Sequence, residues 1–242
     1  MNAKRSSAAF TLVELLTVIG IIGILAALVM TVIPRVIRNA KIQKARLQMT
    51  QIVTAIQSYD ADYSHFPVSH AAQAAANPDF TFGGMLRTPS ATTTVGTTVG
   101  ASVLQNDQLM AVLMDFSTYP NTTSPTVNAS YQANPKRTLY LGASMSGDTN
   151  SPGVGTDLVY RDPWGNPYVV SLDLNDDNLC EDSFYRPASM SGGGLNGLIL
   201  QPDGNYAFHG RITVWSAGPD GKVSIVVTAD KAENHDNVLS WK

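Results

Sequence analysis

The sequence predicts an α+β protein, a long N-terminal α-helix packed on a C-terminal antiparallel β-sheet, with the helix membrane-spanning in its first half and amphipathic in its second. Three observations predict it. The stretch "AAFTLVELLTVIGIIGILAALVM", residues 8–30, is apolar except for Thr and a single charge, Glu14. Residues 35–62 contain no Pro or Gly and begin a stripe of Ile42, Ala45, Met49, Ile52, Val53, Ile56, Tyr59 and Tyr63 at three- and four-residue spacing. From residue 157 onward, short strand-like runs alternate with turn sequences, twice the pair Asp-Gly.

The first element carries Lys4 and Arg5 ahead of an uncharged run from Leu15 to Ile33. At about 1.5 Å per residue, that run approaches the roughly 30 Å hydrocarbon thickness of a bilayer. Basic residues also follow it, at Arg35, Arg38, Lys41, Lys44 and Arg46, so their count alone does not orient the helix. A secretory signal peptide and a plain membrane anchor are the ordinary readings of such a segment. The run is long for the first, and no A-x-A cleavage site follows it. The second leaves Glu14 unexplained, because a carboxylate in a membrane helix is costly unless it finds a partner.

Lys4-Arg5, Ala9 and the run Phe10-Thr11-Leu12-Val13-Glu14-Leu15-Leu16 resemble the class III signal of type IV pilins and type II secretion pseudopilins. The resemblance implies a leader of residues 1–9, cut off by prepilin peptidase between Ala9 and Phe10, and methylation of the new Phe10 amine. Ala9 stands where the family usually has Gly. The apolar helix, residues 10–34, then stays on the mature chain as the assembly segment. Cleavage there would give Glu14 a partner: the Phe10 ammonium of its own chain stands four residues before it, one helical turn, and that of a stacking subunit could be reached in packing.

The amphipathic helix spans residues 35–66 and needs a sheet to cover its apolar stripe. Pro34 lacks an N–H and is expected to kink or locally melt the helix where the two halves meet. "YSHFPV", residues 63–68, ends it, because the residue before Pro67 is steered out of helical geometry. Residues 67–156 are rich in Ala, Thr, Ser, Asn, Gly and Pro and read as a variable surface-loop insertion, with one short helix within Leu104–Phe116.

Residues 157–242 supply the sheet. "DPWGNP" forms a turn before the strand "YVVSLDL"; "GLILQP", "NYAFHGRITVWSAG" and "KVSIVV" follow, with Asp-Gly at 203–204 and 220–221 marking hairpins. "DPWGNPY" at 162–168 and "VWSAGPDG" at 214–221 resemble signatures of the type II secretion major pseudopilin. That resemblance implies Ca²⁺ held by oxygens of the Ala217 carbonyl and Asp220 together with Asn234, Asp236 and Asn237, ahead of Trp241. "DLNDDNLCED", residues 173–182, begins like an EF-hand loop with Asp173, Asn175 and Asp177. Asn178 and Phe184 occupy the positions of its Gly and bidentate Glu, so it reads as an acidic surface loop. Cys180, the one cysteine, excludes an internal disulfide and reads as an incidental thiol.

No catalytic constellation stands out: His65, His70, His209 and His235 are scattered, and there is no HExxH, GxSxG or P-loop. A net charge of −3 gives no reason to expect nucleic acid. The resemblance implies a structural, non-enzymatic subunit with one pass through the inner membrane and its C-terminal domain in the periplasm. Its partners would be copies of itself in a helical polymer, prepilin peptidase, other pseudopilins and an inner-membrane assembly platform. A pilin for adhesion or motility, and a membrane-anchored or secreted binding domain using the Thr-rich loop, are the competing readings.

Overall fold

The structure, a computed structural model, describes residues 11–242. The leader and the cleavage pair Ala9–Phe10 lie outside the described residues. The α+β layout expected from the sequence is present, as a long helix followed by antiparallel strands. The chain divides into two compact units, with the boundary between Ala40 and Lys41.

In the first unit the helix that begins at Leu12 presents its apolar side chains outward: Leu16, Ile22, Leu25 and Val36 are all more than half exposed. By length and composition this segment can cross a membrane. The helix is unbroken from Leu12 to Tyr63, so Pro34 sits inside it and the expected melting does not occur. One missing N–H removes a single backbone bond, which the turns on either side outlast.

In the second unit the helix is striped. Ala45, Met49, Ile52, Ile56 and Tyr59 are buried, and Ile42, Val53 and Tyr63 pack against the same core. The periodicity marked this face; it missed only Ala55, also buried. The helix ends at Tyr63, where Ser64 turns into the left-handed region (φ 58°) while its N–H still reaches the Asp60 carbonyl at 2.7 Å.

The main sheet has four antiparallel strands in the order Phe80–Phe82, Val169–Leu172, Ile212–Ser216, Val238–Leu239. Registers such as Phe82 with Val170 and Val214 with Val170 align one face. That face, with Phe80, Phe82, Val170, Leu172, Ile212 and Val214, shares a core with the helix stripe. The other face is also buried. Val169, Trp215 and Leu239 meet Phe184, Tyr185, Met190 and Tyr206, contributed by residues 179–209. Period-two alternation therefore places two apolar surfaces, not one apolar and one wet. Between the apolar positions of this second face run Thr81, Ser171 and Thr213, all buried; Thr81 and Ser171 are hydrogen-bonded at 2.9 Å.

Two expectations are corrected. Residues 67–156 are not surface loop throughout. They supply the edge strand Phe80–Phe82, a hairpin of Gly84–Arg87 with Thr92–Val95, and the helix Asp107–Leu113, whose Leu109, Met110, Val112 and Leu113 are buried. The polar composition misled because asparagines act as internal connectors. Buried Asn106 donates to the carbonyls of Tyr160 (3.0 Å) and Tyr168 (2.7 Å) and accepts the Tyr160 N–H at 2.8 Å.

The second correction concerns "KVSIVV", which is not a strand. Asp203-Gly204 does connect a paired hairpin, Ile199–Leu200 with Tyr206–His209. Asp220-Gly221 does not: Ile212–Ser216 pairs instead with Val238–Leu239. Val223, Ile225 and Val227 do alternate, but Val238–Leu239 takes the place beside Ile212–Ser216, so this run has no strand to pair with there. Val223 is buried, while Ile225 and Val226 are 62% and 85% exposed.

Candidate functional site

Two regions carry the sequence-derived site residues, and each is built from its own local chemistry. At the start of the helix, Thr11 is the N-cap and Glu14 the third helical residue. The Glu14 carboxylate accepts the Thr11 N–H at 2.9 Å and the Thr11 hydroxyl at 2.8 Å, while the Glu14 N–H donates to the Thr11 hydroxyl oxygen at 3.2 Å. This is a reciprocal capping box, and it satisfies donors that a helix start otherwise leaves open. Glu14 thus has a partner within its own turn. Thr11 is a residue the sequence reading quoted without assigning a role, although T-x-x-E before an apolar run is the written form of this cap.

The two C-terminal motifs meet at Asp162, which is fully buried. Its Oδ1 accepts the N–H groups of Trp164 (2.8 Å) and Asn166 (2.9 Å), closing the "DPWGNP" turn. Its Oδ2 accepts the Asn166 amide at 3.2 Å and the Ser216 hydroxyl from the second motif. Ser216 in turn accepts the Gly218 N–H at 3.0 Å, and the Asn166 amide donates to the Gly218 carbonyl at 3.2 Å. Burial pushes the Asp162 carboxyl above the usual carboxylate range, and these donors pull against the shift. The motifs therefore form one structural joint.

Of the expected calcium ligands, Ala217 is buried and Asp220 is exposed, its Oδ1 accepting the Lys222 N–H at 2.8 Å. Asp236 lies beside Gly218: a Cβ there would come within 2.1 Å of the Asp236 carbonyl. Asn234 does not fit the set. It is 2% exposed, its oxygen accepts the Ser224 N–H at 2.9 Å, and its amide donates to the carbonyls of Ser224 (2.8 Å) and Val227 (3.0 Å). Among the described residues no group of three or more His, Cys, Asp or Glu side chains is arranged to hold a metal.

The acidic loop is only partly a surface feature. Asn175, Asp176 and Asp177 are exposed, but Asp173, Glu181 and Asp182 are buried. Asp182 sits on the second face of the sheet, accepting the Ser171 hydroxyl (2.6 Å), the Trp215 indole N–H (3.0 Å) and the Phe184 and Tyr185 N–H groups. Asp79 spans the loop, accepting Leu174 N–H at 3.1 Å and Glu181 N–H at 2.6 Å, and burial raises its pKa to about 7. Arg211, stacked 4.4 Å over the Phe66 ring, pairs with Asp60 on the helix at 2.6 Å and with Asp176. Cys180 is buried, and burial pushes its thiol up, which suits an unreactive residue. Nothing in the sequence pattern separated these buried acids from the exposed ones.

No curated protein and no solved structure matches the chain. The prokaryotic N-terminal methylation motif matches residues 4–30. The chain therefore carries the N-terminal signal of type IV pilin and pseudopilin precursors on a single apolar helix that fits a membrane-anchored protein.

Proposed function

We propose that this protein is a structural pseudopilin: prepilin peptidase cuts it between Ala9 and Phe10, and the mature chain polymerises through its apolar helix into a type II secretion pseudopilus that drives protein export. The observation that carries the reading is the methylation motif at residues 4–30 on a helix that holds apolar side chains such as Leu16, Ile22, Leu25 and Val36 more than half exposed. Such a surface is stable only against lipid or other helices. Before assembly it lies in the inner membrane with the second unit in the periplasm; after assembly it forms the filament core among copies of itself, other pseudopilins and an assembly platform.

Glu14 sets the stacking offset. In the single chain the Thr11 cap satisfies its carboxylate, which lowers the cost of holding it at the membrane surface or within lipid. When subunits stack, the ammonium of a neighbour's Phe10 supplies a full positive charge to the same carboxylate, and only one axial position brings the two together. The joining of "DPWGNP" to "SAGPDG" at Asp162 supports a secretion pseudopilus over a surface pilus, because these are the motifs that resemble the major pseudopilin.

Mass determination of the mature N-terminus tests the proposal. The expected product begins at N-methylated Phe10. A chain that keeps residues 1–9 in the filament, or one that loses the whole apolar segment, overturns it.

A further inference from the structure

We propose that the loop between Lys222 and Asp236 is locked by the side-chain amide of Asn234, and that this lock takes the place of a calcium ion at the C-terminal turn. Residues 222–236 leave the sheet after Ser216 and return to it at Val238, so something must hold the excursion closed. Asn234 is placed to do so. It is 2% exposed, and its oxygen receives the N–H of Ser224, itself buried. Its amide nitrogen faces the carbonyls of Ser224 and Val227 at 2.8 and 3.0 Å, with Thr228 O at 3.4 Å beyond them.

The orientation of the amide follows from this arrangement. Exchanging its oxygen and nitrogen would set an oxygen against two carbonyls and a nitrogen against an N–H, losing every strong bond. A convergent set of carbonyl oxygens is what a hard cation would otherwise attract. Here the polar hydrogens of –NH₂ occupy that position. Turning the Asn234 oxygen toward an ion at Asp220 would strand the Ser224 N–H in a buried site and leave the loop carbonyls without donors.

The ends of the excursion are secured separately. The Val223 N–H donates to the Arg87 carbonyl at 2.8 Å, and Asp236 lies against Gly218, where the left-handed φ of 66° and the close carbonyl both demand glycine. Pairing of Ser216 with Val238 then completes the return.

The test uses the full chain in detergent micelles, with millimolar CaCl₂ or with EDTA. Two readouts serve: the melting temperature, and the rate at which an EDTA-tolerant lysine-specific protease cuts after Lys222 and Lys231. For the wild type, both are expected to be the same in calcium and in EDTA. Asn234→Ala is expected to lower the melting temperature by about 5 °C. It should also speed cleavage at those two lysines by about tenfold, in either buffer, through local opening of the loop. A wild-type melting temperature that falls in EDTA and recovers with calcium overturns the proposal. So does an Asn234→Ala protein indistinguishable from wild type. If that variant does not fold, the wild-type comparison decides alone.

Discussion

The two halves of one helix show how differently the same secondary structure is used. Between Leu12 and Ala40 the described side chains are mostly apolar and exposed; from Lys41 to Tyr63 they are apolar along one stripe, and that stripe is buried. Uniform hydrophobicity describes a surface awaiting a uniform environment, lipid or a bundle of identical helices. Periodic hydrophobicity describes a surface whose partner is already in the chain. On the proposed reading the first half answers to assembly and the second to folding, and substitutions separate the two.

The largest separation is expected at Glu14. Under the proposed stacking role, Glu14→Ala should insert into the membrane normally yet reduce filament yield by at least about tenfold, since a lost charge-assisted pairing of 1.4 kcal/mol or more changes an assembly equilibrium by that factor. Pelleting of sheared filaments measures it, and wild-type yield from the variant would break the comparison. The melting temperature of the second unit should not change.

The reverse pattern is expected from core truncation. Ile56→Ala, at a fully buried position, should cost about 2–5 kcal/mol and lower the melting temperature by roughly 5–15 °C. Leu25→Ala, at a side chain 56% exposed, should leave it unmoved in micelles. Equal losses from both would mean that the apolar half contributes to the fold of the free chain.

A smaller effect concerns pH and belongs to the second unit alone. Burial raises the carboxyls of Asp79, Asp107, Asp162, Glu181 and Asp182. A carboxyl that binds its proton more tightly when folded adds stability below its unfolded value near 3.8, and loses that contribution as pH rises through the folded value, about 7 for Asp79. The exposed acids with lowered values, Asp148, Asp203 and Asp230, act in the opposite sense, and only as pH falls toward 4. Between pH 5 and 8 the buried group governs. The melting temperature should therefore be higher at pH 5 than at pH 8, by about 3 °C or more. A carbon-detected titration of Asp79 with a midpoint near 4 would remove the cause.

Much of the C-terminal region was legible only in fragments. Asp203-Gly204 and Asp220-Gly221 are the same dipeptide, and each precedes an apolar run. The first makes its hairpin because Tyr206–His209 can pair locally with Ile199–Leu200. The second does not, because Val238–Leu239 competes for the same strand and, through Leu239 and Val238, fills a core on each face. A turn signal states where the chain can reverse, and the nonlocal partner decides what it reverses onto.

The sequence by itself determined the membrane-length helix, the stripe on its distal half, the Thr11–Glu14 cap and the methylation signal, since each is written in residues within a few turns of one another. Only the tertiary structure decided that Phe80–Phe82 closes the sheet, that its second face is buried, that Asp79, Asp162 and Asp182 are internal, and that Asn234 faces a loop. Those outcomes depend on strands of two to five residues and single polar side chains finding partners as many as 102 positions away. Local periodicity is blind at that range, because burial of a polar group is set by whether distant donors and acceptors converge on it.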